Sequence, residues 1–161
     1  MYKNILLPTK GGKGCLEAFK EGLKLAKIVG AKVTIVNVQA KLSILEILDA
    51  YQPDLQFLVA AHDAEKAQIS MAHIEELHRN AGEHFVSELK KLADEMGVDA
   101  KTVVIERASP EEGISMAASE NGCDLIFMAS HSEKGISGTV LGSITTKVVA
   151  HSTIPVLVQH C

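Results

Sequence analysis

The chain of 161 residues contains no tryptophan, and aromatic residues make up only 4% of it. It offers little of the aromatic surface on which single-stranded nucleic acid stacks. Positive charge is also scarce. Sixteen Lys and Arg face twenty Asp and Glu, for a formal net charge of -4, so neither nucleic acid nor an anionic membrane surface is an expected partner. No apolar run is long enough to cross a bilayer, and the opening MYKNILLPT lacks the form of a secretory signal; the cytoplasm is the expected compartment. Cysteine is sparse: Cys15, Cys123 and Cys161 are odd in number, far apart and without a C-x-x-C pair, so three reduced thiols are expected, Cys161 exposed by its terminal position. The stretch His62, His73, His78 and His84 lacks the i, i+4 spacing that sets two ligands on one helix face, and no metal site is expected. A P-loop is missing, and the start Gly12-Lys13-Gly14 puts Glu17 where a dinucleotide fingerprint needs its third glycine. Gly11–Gly14 then reads as a turn.

What is there is an alternation of short β-branched runs and helical periods. Asn4–Pro8 reads as a first buried strand, followed by a helix with Leu16, Phe19, Leu23, Ala26 and Val29 on one face and Gly30 as its stop. Lys32–Val38 reads as a second strand. The pattern weakens from Gln39 to His73: Ser43–Glu46 has capping-box spacing for a short helix to about Tyr51, Pro53 interrupts it, and Leu55–Ser70 is helix-compatible without a clear stripe. A long helix is expected from about Met71, with Ile74, Leu77, Ala81, Phe85, Leu89, Leu92 and Met96 as its apolar stripe and Gly97 as its end. Thr102–Arg107 reads as a third strand. Ser109-Pro110-Glu111-Glu112 reads as N-cap, Pro at the first helical position and capping-box Glu112, opening a helix to about Asn121. Leu125–Met128 and Pro155–Gln159 read as the fourth and fifth strands, with a helix from Ser143 between them. Such alternation specifies one domain, residues 1–161, with a mostly parallel sheet covered on both faces by helices.

Ligands of such sheets bind beyond the carboxyl ends of the strands, where strand order reverses. The loop from Ala129 to Ser143 lies at that edge and feeds a helix N-terminus, whose free N–H groups and dipole suit an anion. The segment DLIFMASHSEKGISGTVLGSITTKVVAHSTIPVLV, with YKNILLPT at the start and the SPEEGI helix opening, resembles the universal stress protein family over essentially the whole chain. That resemblance implies an adenine-nucleotide-hydrolase-like α/β fold, a five-stranded parallel sheet in the order 3-2-1-4-5. It also implies a cleft built from Pro8, Thr9, Lys10, Val38, Met128, Ala129, Ser130, His131, Ser132, Gly142, Ser143, Ile144 and Thr145.

The family's ATP-binding members carry a glycine, two residues, a second glycine, nine residues, then glycine and serine or threonine. Here that spacing falls on Ala129, Ser132 and Gly142-Ser143: the last element is kept and the first two glycines are replaced. Lys10 stands where the ATP-binding members usually have an aspartate. A left-handed alanine costs about 1–2 kcal/mol, so either Ala129 is strained or the loop has another shape; both weaken ATP, ADP or AMP. Lys10 and the hydroxyls of Ser130, Ser132 and Ser143 offer partial compensation for an anion. Ser143 is read equally as a bare N-cap and as a cap that also touches phosphate. Val38, where the resemblance puts the adenine, also reads as plain core. His131 is read as shaping the loop, and Thr145 and Thr146 as solvated or capping.

Two functions stay open. One is a dimeric stress-response protein with a regulatory or protective role, acting through partner binding with weak or absent ATP binding. The other is a nucleotide-binding stress switch working through the Ala129–Ser143 loop. Neither needs catalysis; a third and weaker reading, a slow ATP hydrolase, needs a base to orient water, for which the loop offers only His131, and no nucleophile–base pair is evident in the sequence. The resemblance implies a homodimer formed through the last strand, Pro155–Gln159, whose apolar sequence suits antiparallel pairing across a two-fold axis.

Overall fold

A computed structural model describes residues 1–10, 16–40, 64–107, 109–130, 133–135 and 138–161. The elements run β1 (Asn4–Thr9), α1 (Leu16–Val29), β2 (Lys32–Ala40), α2 (Ala64–Glu95), β3 (Ala100–Arg107), α3 (Pro110–Glu120), β4 (Leu125–Ser130), β5 (Glu133–Gly135), β6 (Gly138–Val140), α4 (Ser143–His151) and β7 (Val156–His160). The main sheet has the order β3-β2-β1-β4-β7 and every pairing in it is parallel. Counting its own strands, that is 3-2-1-4-5, as the resemblance implies. The strand order reverses between β1 and β4, so the carboxyl ends of these two strands flank the crevice where a ligand fits.

Alternation along the strands builds two cores, because successive side chains leave a strand on opposite faces. Ile5, Leu7, Val33, Ile35, Leu125 and Phe127 pack on one face beneath Phe19 and Leu23 of α1 and Val86, Leu89 and Ala93 of α2. Leu6, Val36, Ile126 and Met128 pack on the other against Ile114 and Ala117 of α3 and Val148 of α4. The starts of β1 and β4 are joined by the Asp124 carboxylate, which accepts the backbone N–H of Lys3 at 2.8 Å and of Asn4 at 3.0 Å. In return the Asp124 N–H donates to the Asn4 carbonyl at 2.9 Å.

Helix α2 differs most from its expected form. It begins at Ala64 and is 32 residues long, about 48 Å at 1.5 Å per residue. Gln39, next to last in β2, donates through Nε2 to the His78 carbonyl at 2.7 Å. A Cβ on Gly82 would run into the Gln39 amide, so α2 passes the carboxyl edge of the sheet near residues 78–82. The expected stripe divides there. Phe85, Leu89, Leu92 and Met96 pack on the core, whereas Leu77 is 55% exposed and Ala81 is exposed.

Other boundaries shift for identifiable reasons. Strand β4 runs two residues past Met128, because Ala129 and Ser130 pair with Gln159 and His160 of β7. β7 ends at His160, and Pro155 precedes it. Helix α3 has Pro110 in its first turn and Ser109 as N-cap residue, but the side chain of Ser109 makes no capping bond, so the expected capping box does not form. The Glu111 carboxylate of the same turn accepts from Lys147 Nζ of α4 at 2.9 Å. That bond first, then the Glu111 backbone N–H and to a lesser degree the Ser109 hydroxyl, hold the Glu111 carboxyl below its ordinary range. Cys123 is buried and free, and burial pushes its thiol up. Cys161 is disulfide-bonded, so the expectation of reduced thiols fails at this exposed terminal residue. Cys15, the turn Gly11–Gly14, the segment 43–51, Pro53 and His62 lie outside the described residues.

Helix α3 meets β2 through a glycine. A Cβ on Gly113 would stand 2.6 Å from Val38 Cγ1 and 3.2 Å from its Cγ2. Gly113→Ala is expected to destabilise the protein by about 1–2 kcal/mol, the overpacking cost exceeding the gain in helix propensity. In a Val38→Ala background the cost should vanish or reverse, since the obstructing methyls are gone. Chemical denaturation of the four members of this cycle measures the coupling.

Candidate functional site

A cleft of about 290 Å³ opens at the carboxyl edge of the sheet, over the ends of β1 and β4. That is close to the lower end of the volumes of small-molecule sites. Of the thirteen residues expected there, Pro8, Thr9, Lys10, Val38, Met128, Ala129, Ser130, Gly142, Ser143, Ile144 and Thr145 line it. His131 and Ser132 lie outside the described residues. The cleft exists because three strand ends and the start of one helix converge there. β1 delivers Pro8 and Thr9, β2 delivers Val38, β4 delivers Met128 to Ser130, and α4 opens at Ser143.

The chemistry of the Ala129–Gly142 end is specific. Ala129 belongs to β4 and has a negative φ, as does every described residue other than glycine. The cost of a left-handed alanine is therefore not incurred, and the loop takes the other course: the strand is extended through Ala129 and Ser130. Ser130 is 1% exposed, and its Oγ accepts the Gly142 N–H at 3.1 Å. This occupies a backbone donor at the mouth of α4. The Ser130 carbonyl accepts the Cys161 N–H at 3.0 Å. The Ser130 hydroxyl is thus part of the cleft wall, where it had been expected to be on offer to a ligand.

Helix α4 has Gly142, at φ -55°, as its N-cap residue, without a side-chain capping bond. Ser143 is consequently the first helical residue, and the N-cap role expected of it is not realised. Its side chain is exposed at the helix mouth. Thr145 is 4% exposed and lines the cleft, which corrects the expectation that it is solvated. Thr146 is exposed and its N–H donates to the Gly142 carbonyl at 2.9 Å. Between β4 and α4 the chain forms an antiparallel hairpin of β5 and β6, Glu133 opposite Val140 and Gly135 opposite Gly138. The sequence reading had only a loop there.

Lys10 is exposed on the rim. Asn37 of β2 is buried and donates through Nδ2 to the Thr9 carbonyl at 2.9 Å, fixing the end of β1 beside β2. The cleft also reaches residues that were not expected in it: Leu7, Leu16, Phe19, Phe85, Leu89, Pro110, Ile114 and Phe127. Two signals pointed that way. Leu16 and Phe19 are three apart in the first turn after β1, and Phe85 and Leu89 are four apart on one face of α2, so each pair shares a face at the strand ends. Among the described residues, no three of His, Cys, Asp and Glu come together as metal ligands would, and no described helix is long and apolar enough to cross a membrane.

Comparison with known proteins gives this geometry a context. The family model described as the Universal stress protein family matches residues 1–160. Universal stress protein MJ0531 of Methanocaldococcus jannaschii is 29% identical over 158 residues, spanning 98% of this chain and 82% of its own. The solved structure of the protein MJ0577, from the same organism, superposes with a TM-score of 0.72 at 22% identity, over 100% of this chain and 97% of that one. Two further structures with the same fold were solved with nucleotides. One is a universal stress protein in complex with cAMP (TM-score 0.63, 19% identity, 99% of this chain and 97% of that one). The other is from Archaeoglobus fulgidus in complex with dAMP (TM-score 0.59, 14% identity, 98% and 97%).

Proposed function

From the premise that the chain belongs to the universal stress protein family, we propose that it is a non-catalytic, cytoplasmic stress-response protein of one domain, in which the ATP-binding device of the family is weakened. It works as a homodimer through the surface it presents to partner proteins. One observation supports this reading above the others: Ser130 Oγ already holds the Gly142 N–H, while Ala129 lies in β4 instead of a glycine turn. A phosphate approaching the mouth of α4 meets a donor already engaged and a strand end carrying a methyl group. Each lost charge-assisted bond weakens binding by about 1.5–3 kcal/mol.

The cleft itself remains open, and Gly142 and Ser143 still stand at the start of a helix nine residues long. Low-affinity binding of ATP, ADP or AMP is the expected remnant. Pro8, Thr9, Lys10, Val38, Met128, Ala129, Ser130, His131, Ser132, Gly142, Ser143, Ile144 and Thr145 would form the site. The dimer reading is supported by β7, an edge strand in which Leu157 is 38% exposed. An edge of this kind pairs readily with a second copy.

Calorimetric titration with ATP, ADP and AMP, with and without magnesium, tests the proposal. The expected result is half-saturation no tighter than about 1 mM, corresponding to about -4 kcal/mol. A triple variant, Lys10→Asp with Ala129→Gly and Ser132→Gly, is expected to gain at least about tenfold in ATP affinity, about 1.4 kcal/mol. Saturation of the unaltered protein at micromolar ATP would overturn the proposal and favour the nucleotide switch.

A further inference from the structure

The cleft lies across the carboxyl edge of the sheet and has two unlike walls. On the α3/α4 side Val38, Ile114, Met128 and Ile144 stand close to the backbone of Gly142 and the hydroxyls of Ser143 and Thr145. On the α1/α2 side the wall is Leu16, Phe19, Phe85 and Leu89 over a floor of Leu7 and Phe127. None of those six side chains can donate or accept a hydrogen bond. A purine placed there would leave its ring nitrogens and exocyclic group without side-chain partners, at a desolvation cost. The wall is not sealed core, because Leu16 is 37% exposed and Phe85 half-buried. Between the walls stands Lys10, exposed and bearing the one charge among the cleft-lining side chains described.

We propose that the cleft binds a small amphiphile, with a phosphate head held by Lys10 and the start of α4 and an unbranched hydrocarbon chain laid across the sheet edge into the Leu16–Phe19–Phe85–Leu89 compartment. Charge complementarity places the head: the start of α4 carries the positive end of the helix dipole, and Lys10 adds a full charge. The polarity of the walls places the chain. The volume of about 290 Å³ limits the ligand to medium length. The proposal rests on the reading that the α4 end of the cleft still favours an anion. It goes beyond that reading in naming the rest of the ligand, and it accounts for an open cleft alongside weakened ATP binding.

The test is a titration of the intact protein with ethyl, butyl, hexyl and octyl phosphate below their micellar concentrations. Affinity is expected to rise about threefold to fourfold per methylene, from about 0.8 kcal/mol for each buried CH₂, at one ligand per chain. Leu89→Trp fills the compartment and should flatten the series to within about twofold, the per-methylene burial being gone. Phe85→Trp, at a half-buried position, is the second variant should Leu89→Trp fail to fold. Lys10→Glu should weaken every member by a similar factor. A series flat in the unaltered protein, or a slope that persists in both tryptophan variants, overturns the proposal. Micromolar ATP binding would overturn the weakened-device reading alone, because the slope of the alkyl series is measured independently of it.

Discussion

Phe127→Ala is expected to cost about 3–5 kcal/mol of stability, the largest effect of any single substitution considered for this protein. Phe127 is 4% exposed and serves two structures at once. On the core side, a Cβ on Gly22 of α1 would come within 3.1 Å of its Cδ1, so α1 is seated directly on the ring. On the other side the ring forms part of the cleft floor. Truncation removes the transfer free energy of the ring and leaves a void that the close-packed Leu7, Leu23 and Leu125 fill only in part. Urea unfolding followed by circular dichroism gives the number. A loss below about 1 kcal/mol, no more than the removal of a single methyl in Ile→Val typically costs, would show that the ring is not seated as described.

Asp124→Ala is expected to cost roughly 2 kcal/mol at neutral pH, the value of charge-assisted bonds to two backbone N–H groups at a partly exposed site. The dependence on pH is the sharper test. Burial alone would raise the Asp124 carboxyl. The N–H bonds from Asn4, Lys3 and its own backbone, with the N-terminal ammonium, outweigh that and hold it below its ordinary value. A carboxylate lowered by folding contributes stability in full above the unfolded pKa of about 3.9 and loses it as pH falls through the folded value. The difference between the unaltered protein and Asp124→Ala should therefore be constant from about pH 7 to pH 5 and shrink below pH 4. A difference that instead grows toward acid would assign the stabilisation to another group.

Much of this architecture is legible in the sequence because it depends on local pattern. The runs NILLPT and KVTIVNVQA sit in the buried sheet, and Gly30, Gly97 and Gly122, each at positive φ, end helices where a left-handed residue is required. What the sequence does not reveal depends on partners distant along the chain. Ser109 has the right spacing for a capping box, but its side chain makes no capping bond, and Glu111 of the same turn is tied to Lys147 thirty-six residues on. Strand β4 extends through Ser130 because β7 offers Gln159 and His160 to pair with. The regular stripe of α2 gives no sign that the sheet beneath it ends near His78. At the site, the resemblance identifies the wall nearest the start of α4, and eleven of its thirteen residues line the cleft. The apolar wall is missed because Leu16, Phe19, Phe85 and Leu89 have the periodicity of ordinary core, and periodicity does not register that a core has an open end.

The central position of β1 bears on how the chain assembles as it is synthesised. β1 leaves the ribosome before the other strands of this sheet, yet one of its two neighbours, β4, begins more than a hundred residues later, and Lys3 bonds to Asp124 across a separation of 121 residues. Strands β1, β2 and β3 can pair once Arg107 has emerged. Until β4 arrives, the inner edge of that partial sheet exposes unpaired backbone and the apolar side chains of Ile5 and Leu6, a surface prone to association with other chains. Closing so distant a pairing is slow. The yield of folded protein should therefore depend on how quickly residues 109–130 follow, so that a translational pause placed before Ser109 is more harmful than one placed after Ser130.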